Sequence, residues 1–237
     1  MNNKQKYRHE LKYRIDTGTY HVLRQRFRAA MKPDTHANGG QYRITSLYFD
    51  DIYGTGYNDK LNGVLNRKKY RIRTYNFDKN FIRLEEKRKD NNVGYKKSAV
   101  LTFEEYEKMI RGDYAFLANE KFSETAGEDF FASASTVGLK PSVIVDYIRE
   151  PYVCKAGNVR ITFDMKISAG SRNGDIFDEK MVFSPVFPEG TVILEVKYDD
   201  FMPIYIEELL SGLPILQEAV SKYAYCRDRL NLIRYGI

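Results

Sequence analysis

The sequence predicts an α+β protein built on a mostly antiparallel β-barrel or tunnel with flanking helices. Three observations carry this prediction. Many short segments alternate apolar and charged residues, the connections between them are mostly short, and helical segments are few. Short connections favour antiparallel pairing, because parallel strands need long crossovers. With 237 residues the chain can bury a substantial core, and we assign residues 1–237 to one domain.

Eight segments have the alternation expected of strands: residues 8–15, 42–50, 68–76, 81–89, 94–101, 142–151, 159–167 and 192–198. Loops rich in Gly, Pro, Asn or Asp are predicted at residues 32–41, 50–59, 90–94, 170–178 and 184–190. The segment 91–94 reads Asn-Asn-Val-Gly, which predicts a hairpin turn between two of the strands.

Five helices are predicted, at residues 17–31, 102–111, 120–137, 204–210 and 215–234. The first places Tyr20, Leu23 and Phe27 on one apolar stripe. The second opens with Thr102 and has Glu105 three residues later, which is the pattern of a capping box.

Composition limits the classes of partner. Lys and Arg number 38 against 32 Asp and Glu, and the net charge of +6 suggests an anionic partner. No zinc finger, helix-turn-helix or aromatic nucleic-acid motif is present, so we expect no nucleic-acid partner. Cys154 and Cys226 have no metal-ligand spacing, and no apolar run approaches the roughly 20 residues of a membrane span. We therefore expect a cytoplasmic protein that does not itself cross a membrane.

A glutamate stands two residues before a lysine in three predicted strands. The pairs are Glu10 with Lys12, Glu85 with Lys87, and Glu195 with Lys197. Residues two apart on a strand point to the same face, so each pair shares one surface. A sheet face that gathers lysines and carboxylates can hold a metal ion and a polyanion together.

The strands carry their charges on one face. Alternate positions give Arg8, Glu10, Lys12 and Arg14 in one strand, Lys69, Arg71 and Arg73 in another, Arg83, Glu85, Lys87 and Lys89 in a third, and Arg160, Thr162, Asp164 and Lys166 in a fourth. A solvated face explains any single strand. The set as a whole is biased to cations, which repel across neighbouring strands unless an anion lies between them. We interpret these faces as the wall of a tunnel that water, metal and a polyanion fill.

This inventory suits phosphate chemistry. Arg binds phosphate oxygens with a planar fork and Lys with a point charge, while carboxylates hold Mg²⁺ or Mn²⁺. Phosphoryl transfer depends mainly on alignment and charge neutralisation. The sequence has no Walker loop, kinase motif set or nucleophile elbow, and we expect no catalytic role for the scattered His9, His21 and His36.

Eight short motifs occur in the order found in a known family. They are residues 7–14 (YRHELKYR), 46–51 (SLYFDD), 69–75 (KYRIRTY), 84–87 (LEEK), 147–149 (YIR), 159–164 (VRITFD), 194–197 (LEVK) and 221–223 (SKY). Together they resemble the VTC domain, the polyphosphate polymerase domain of the vacuolar transporter chaperone complex, over about residues 7–230. That domain belongs to the CYTH-like triphosphate tunnel metalloenzymes. The resemblance implies an antiparallel β-tunnel that transfers the γ-phosphate of ATP onto polyphosphate with Mn²⁺ or Mg²⁺.

Carried over motif by motif, the resemblance also implies site residues. The phosphate-binding and catalytic set is Lys12, Arg71, Arg73, Lys87, Lys97, Arg149, Arg160 and Lys222, with Lys197 as a further catalytic residue. Lys96 is the alternative to Lys97. Glu195 matches the metal-binding glutamate of the family, whereas Glu10 and Glu85 are either further metal ligands or counter-ions that organise the lysines.

Some features depart from the hydrolytic tunnel enzymes. Those enzymes open with Glu-x-Glu-x-Lys, and Arg8 stands here in place of the first glutamate. Losing one carboxylate disfavours a second metal and water activation, which favours a polymerase over a triphosphate hydrolase or a non-catalytic polyphosphate-binding domain. Because the chain lacks the regulatory domain and membrane segments of the eukaryotic complex, we expect a bacterial member. A membrane partner protein and the oligomeric state remain open.

Overall fold

A largely antiparallel sheet dominates the computed structural model, which describes residues 9–34, 37–90 and 93–236. The strands in this part of the chain are β1 (His9–Ile15), β2 (Lys32–Pro33), β3 (Tyr42–Asp50), β4 (Arg67–Tyr75), β5 (Ile82–Asp90), β6 (Val93–Leu101), β7 (Lys140–Cys154), β8 (Val159–Gly170), β9 (Ser184–Pro185) and β10 (Val192–Tyr198). The α-helices are α1 (Thr17–Ala30), α2 (Thr55–Leu61), α3 (Phe103–Arg111), α4 (Ala126–Val137), α5 (Ile204–Leu210) and α6 (Lys222–Tyr235). The predicted α+β class is confirmed.

The hydrogen-bonded strand order is β1–β10–β8–β7–β3–β4–β5–β6, with β2 on β7 and β9 on β8. The pairs β1/β10, β10/β8, β3/β4, β4/β5 and β5/β6 are all antiparallel. Contacts divide the chain into two compact units, which we describe separately. Unit one comprises residues up to 43, 147–167 and 187–221, and unit two comprises residues 44–146, 168–186 and 222 onward.

Unit one packs α1 and α5 on the apolar face of β1, β8 and β10. Its buried core includes Leu23 and Phe27 of the predicted α1 stripe together with Phe163 and Leu194. Asp16 begins α1, because its side chain accepts a hydrogen bond from the backbone N–H of Thr19. The charged residues of the same strands lie on the opposite face, as the alternation predicts.

Unit two has a core of its own under β3 to β6. Leu47, Ile72 and Leu84 from the strands pack with Phe122 and Phe130 from the segment that contains α4. The predicted capping box of α3 is present: the Thr102 side chain accepts from the Glu105 N–H, and the Glu105 carboxylate accepts from the Thr102 N–H.

Two segments differ from their sequence predictions. The last helix was expected to begin at residue 215, but α6 begins at Lys222, because residues before it pair with β1 through Tyr13 and Gln217. The segment 50–59 was expected to be a loop, yet it contains most of α2. Asp50 supports that helix by accepting the N–H groups of Gly56 and Tyr57.

Smaller differences concern helix lengths and the hairpin. The predicted helix at 120–137 begins only at Ala126, with a short 3₁₀ turn at Glu120–Phe122 before it. Residues 91 and 92 of the predicted hairpin turn lie outside the described residues, although β5 and β6 on either side are paired. Among the helices described, none combines the length and apolar character needed to cross a membrane.

A buried carboxylate ties α1 to β7 in unit one. Glu150 accepts hydrogen bonds from Tyr20 (2.7 Å), Arg24 (2.8 Å), Gln41 (3.0 Å) and Tyr152 (2.5 Å). Burial alone would raise the pKa of Glu150, but these four donors outweigh it and lower the pKa. The contacts fix β7 next to Arg149, which belongs to the candidate site below.

Glu150→Gln is expected to lower the free energy of unfolding by about 1.5–3 kcal/mol, because buried donors lose a charged acceptor. Urea denaturation followed by circular dichroism measures the loss. Glu104→Gln is the matched control, since Glu104 is exposed and its ion pair among the described residues is with Lys108 on the same helix. Equal stability of the two variants would contradict the importance of this network.

Candidate functional site

One candidate site lies on the charged face of β1, β10 and β8 in unit one. We call Glu10, Lys12, Arg149, Glu195 and Lys197 the Glu195 cluster. Lys12 is the cross-strand partner of Glu195, and Glu10 is the partner of Lys197. The Lys12 Nζ lies 2.9 Å from Glu10 Oε1 and 3.8 Å from Glu195 Oε1, while the Lys197 Nζ lies 3.2 Å from Glu195 Oε1. The structure therefore brings two of the three Glu-x-Lys pairs together.

Arg149 reaches the same carboxylate from β7. Its Nη2 lies 3.2 Å from Glu195 Oε2, and it also makes a bidentate pair with Asp164, at 2.6 and 2.7 Å. Asp164 is fully buried. Burial alone would lower the pKa of Arg149, but the charge of Asp164 and then of other neighbours raises it well above its usual value. Arg149 is therefore a permanently charged group that Asp164 holds against Glu195.

Arg160 lies on the same face of β8 but has other contacts. Its Nη2 is 2.8 Å from Asp34 Oδ2 and 3.0 Å from the Tyr42 hydroxyl. It is also the cross-strand partner of Lys197, so it adjoins the Glu195 cluster. The structure places Arg160 on the predicted charged face.

The oxygen atoms of the Glu195 cluster can be compared with those that a divalent metal ion requires. No group of three or more Asp, Glu, His or Cys among the described residues is arranged to hold a metal ion. Mg²⁺ is commonly bound by one or two carboxylates together with substrate phosphates, so Glu195 and Glu10 fit a metal that arrives with phosphate. Thr162, the cross-strand partner of Glu195, has a buried hydroxyl without a hydrogen-bond partner in the described structure. That oxygen is a further polar group available to such a ligand.

Unit two carries a second cationic face, on β3 to β6. The cross-strand registers place its residues in rows: Ser46, Arg73 and Arg83 in the first, Tyr48, Arg71, Glu85 and Ser98 in the second, and Lys69, Lys87 and Lys96 in the third. Glu85 is the only carboxylate in these rows of described residues. Six cations therefore surround one anion on this face.

We call Arg71, Arg73, Glu85 and Lys96 the Glu85 cluster. Arg71 donates from Nε to Glu85 Oε2 at 2.7 Å and from Nη1 to the Tyr48 hydroxyl at 2.9 Å. The Lys96 Nζ lies 2.7 Å from Glu85 Oε1, and the Arg73 Nη1 lies 3.8 Å from Oε2. Burial alone would raise the pKa of Glu85, but the positive charges of Arg71, Arg73 and Lys96 hold it far below its usual value. This geometry favours the counter-ion interpretation of Glu85 over metal ligation.

The register decides between Lys96 and Lys97. Lys97 is the cross-strand partner of Glu86, on the opposite face, where its Nζ lies 2.6 Å from Asp129 of α4. Lys96 is the partner of Lys87 and contacts Glu85. The register therefore favours Lys96, the alternative that the sequence left open, and we propose Lys96 rather than Lys97 for the candidate site.

Arg73 has unused hydrogen-bonding capacity. Its Nε is buried and has no partner within the described structure, and the same holds for the hydroxyl of its cross-strand neighbour Ser46. Buried donors are nearly always paired in native proteins, so the Arg73 Nε is a donor suited to an anionic ligand on this face.

The remaining predicted site residues lie outside the two clusters. Lys87 is exposed on the Glu85 face, and Lys222 is the first residue of α6. Arg8 and His36 lie outside the described residues. Sequence reasoning missed Tyr48 as a partner of Arg71 and Asp164 as a partner of Arg149. The alternation placed Asp164 on a charged face, but it carries no signal for a specific pair of residues.

Comparison with known proteins finds a matching family for the sequence and similar solved structures for the fold. The sequence model of the VTC domain matches residues 7–231. No curated protein matches the chain. Among solved structures, the chain is similar to a candidate adenylyl cyclase from Hippeastrum, for which a dominant triphosphatase activity is reported. That match has a TM-score of 0.55 and 14% identity over 93% of this chain and 95% of the other. A candidate adenylate cyclase from Bacillus halodurans matches with a TM-score of 0.55 and 12% identity over 96% of each chain. At these identities the likeness shows the fold.

Proposed function

The chain belongs to the VTC domain family and has the triphosphate tunnel fold, and we propose from this that it is a polyphosphate polymerase. In this proposal it transfers the γ-phosphate of ATP onto a growing polyphosphate chain, assisted by Mn²⁺ or Mg²⁺. The product is a longer polyphosphate chain together with ADP.

The observation that carries the proposal is the excess of cations around single buried carboxylates. Glu85 is surrounded by Arg71, Arg73 and Lys96, and further lysines extend the same face. Like charges on neighbouring strands are unfavourable unless an anion lies among them. A phosphate chain supplies many such charges along its length, and arginine forks match its oxygens.

Each cluster, taken by itself, has residues suited to this reaction. Arg71, Arg73 and Lys96 bind phosphate oxygens and neutralise the charge that develops during transfer. In the Glu195 cluster, Lys12, Lys197 and Arg149 do the same, and Asp164 orients Arg149. Glu195 and Glu10 would hold the divalent ion, which would withdraw charge from the phosphate.

Hydrolysis of triphosphate is the second candidate, and one observation favours it. The Hippeastrum protein of the same fold is described as a triphosphatase. Against hydrolysis stands the sequence before Lys12, where Arg8 replaces the first glutamate of the hydrolytic pattern. We therefore rank the polymerase first.

Product analysis separates the candidates. Purified protein is incubated with ATP and Mn²⁺, the products are separated on a gel stained for polyphosphate, and free phosphate is assayed in parallel. Long chains support the polymerase, and free phosphate without chains supports the hydrolase. Absence of turnover together with binding of polyphosphate supports a binding domain and overturns both enzymatic proposals.

Neighbouring lysines provide a matched test of the Glu85 cluster. Lys96→Ala is expected to weaken binding of tripolyphosphate by about 1.5–3 kcal/mol, the range of a charge-assisted hydrogen bond. Lys97→Ala removes the same charge on the opposite face and is expected to leave the affinity nearly unchanged. Isothermal titration calorimetry measures both. A larger loss for Lys97→Ala would show that the cluster is wrongly assigned.

A further inference from the structure

Lys69 stands out on the Glu85 face because it is half-buried and has no carboxylate partner among the described residues. In the part of the chain that the structure describes, no ion pair of its ammonium group is found. That group lies over the ring of Tyr223 in α6, whose centroid is 4.7 Å from Nζ. A cation over an aromatic face gains some stabilisation, but far less than a buried ammonium loses by leaving water.

The neighbours of Lys69 make this position more unfavourable. Its cross-strand partner is Lys87, which in turn pairs with Lys96. The groups whose charges act most on Lys69 are Arg67, two residues before it on β4, Lys60 of α2, Lys87 of β5, and Asp50 at the end of β3. Three of these four are cations. The arrangement gathers positive charge around an ammonium that is already partly desolvated.

The nearby carboxylate is already engaged. Asp50 Oδ1 accepts from the backbone N–H groups of Asp51 and Gly56, at 3.0 and 2.9 Å. Its Oδ2 accepts from the N–H of Tyr57 at 3.1 Å and from the Tyr223 hydroxyl at 2.5 Å. Both oxygens therefore hold α2 and α6 in place, and Asp50 offsets only part of the positive charge at Lys69.

We propose that Lys69 is a further phosphate-binding residue, and that binding of a phosphate chain draws a proton onto its amine. This inference rests on the proposed phosphate chemistry of the Glu85 face, which it extends by a residue and by a coupling to pH. Arg71 and Lys96 already have Glu85 as a counter-ion. Lys69, by contrast, gains its counter-ion from the substrate.

The protonation of Lys69 follows from its surroundings. Burial and the charges of Arg67, Lys60 and Lys87, opposed only by Asp50, lower the pKa of Lys69 to about 7. A phosphate anion beside the amine favours its charged form and raises that pKa. Between the two pKa values the complex holds a proton that the free protein lacks, so affinity falls as pH rises above about 7. Below pH 7 the amine is already charged and this dependence disappears.

Calorimetry with tripolyphosphate, in the absence of nucleotide and metal, tests the proposal on the full chain. Titrations at pH 8 in buffers of different ionisation enthalpy give the number of protons taken up. We expect the native protein to take up as much as one proton more than Lys69→Arg, whose guanidinium is always charged. At pH 6 the two are expected to agree. Lys69→Met is expected to bind about 10- to 100-fold more weakly at pH 6.

Lys68→Met is the matched control, since Lys68 is exposed on the other side of the same strand. It is expected to keep both the affinity and the proton uptake. Tight binding with equal uptake by the native protein and Lys69→Arg would overturn the inference while leaving the polymerase proposal intact. If the protein binds tripolyphosphate but shows no polymerase activity, the predicted proton uptake by Lys69 still stands. Failure of tripolyphosphate to bind at all would overturn the phosphate assignment of the face as well.

Discussion

Glu195→Gln is expected to lower ATP turnover at least about 100-fold while tripolyphosphate binding is largely kept. The side chain is buried and contacts Arg149, Lys12 and Lys197. The amide keeps the shape but loses the negative charge that would hold a divalent ion beside these cations, and the loss of one preorganised charged group commonly costs 10²–10³ in rate. Turnover is measured as ADP formed from ATP in the presence of Mn²⁺.

The control for this variant is Glu104→Gln, which makes the same chemical change at an exposed position of α3. It is expected to retain native turnover. The calorimetric affinity of each variant for tripolyphosphate separates a loss of chemistry from a loss of binding. Native turnover by Glu195→Gln would remove Glu195 from the metal site and with it the assigned role of the Glu195 cluster.

Asp164→Ala is expected to lower the free energy of unfolding by about 3–5 kcal/mol. The substitution leaves Arg149 buried without its bidentate partner, and breaking a buried ion pair on one side leaves an uncompensated charge. Glu195 is the remaining partner, at 3.2 Å, and it compensates only in part. Urea denaturation measures the effect.

Two further variants show whether the uncompensated charge is the cause. Asp90→Ala removes one member of the exposed pair with Arg88 and is expected to cost no more than about 1 kcal/mol. Adding Arg149→Met to Asp164→Ala removes the unpaired charge and is expected to recover part of the stability. If the double variant is no more stable than Asp164→Ala, the loss comes from the cavity rather than from the charge.

Alternation along the strands predicts much of the fold and much of the site. It places Lys12, Arg71, Glu85, Arg160 and Glu195 on the charged faces where the structure has them, because a strand fixes which side chains share a face. Most strand bounds are predicted to within two residues for the same reason. When one face of a sheet is buried, apolar residues must recur at every second position of each strand.

Alternation within one strand does not set the register between strands. Lys96 and Lys97 are adjacent cations, and a slip of one residue in β6 would exchange their faces. In the structure Asp90 pairs with Val93, and this register places Lys96 opposite Lys87. Alternation therefore left Lys96 and Lys97 as alternatives, and the register favours Lys96.

Long-range contacts also lie beyond sequence patterns. Residues before Lys222 have a helical pattern, yet Gln217 pairs with Tyr13 and the backbone of Glu218 bonds to that of Lys12. In the same way α2 depends on Asp50, whose side chain satisfies the N–H groups at the start of the helix. Tertiary partners override local propensity at both places.

The most direct test of the polymerase proposal follows the terminal phosphate of ATP. Two parallel reactions with Mn²⁺ contain ATP labelled at the γ-phosphate or at the β-phosphate, and the label is located in polyphosphate, nucleotide or free phosphate. A polymerase is predicted to place the γ label in long chains and to leave the β label in ADP. Release of the γ label only as free phosphate, with none in chains, would contradict the proposal.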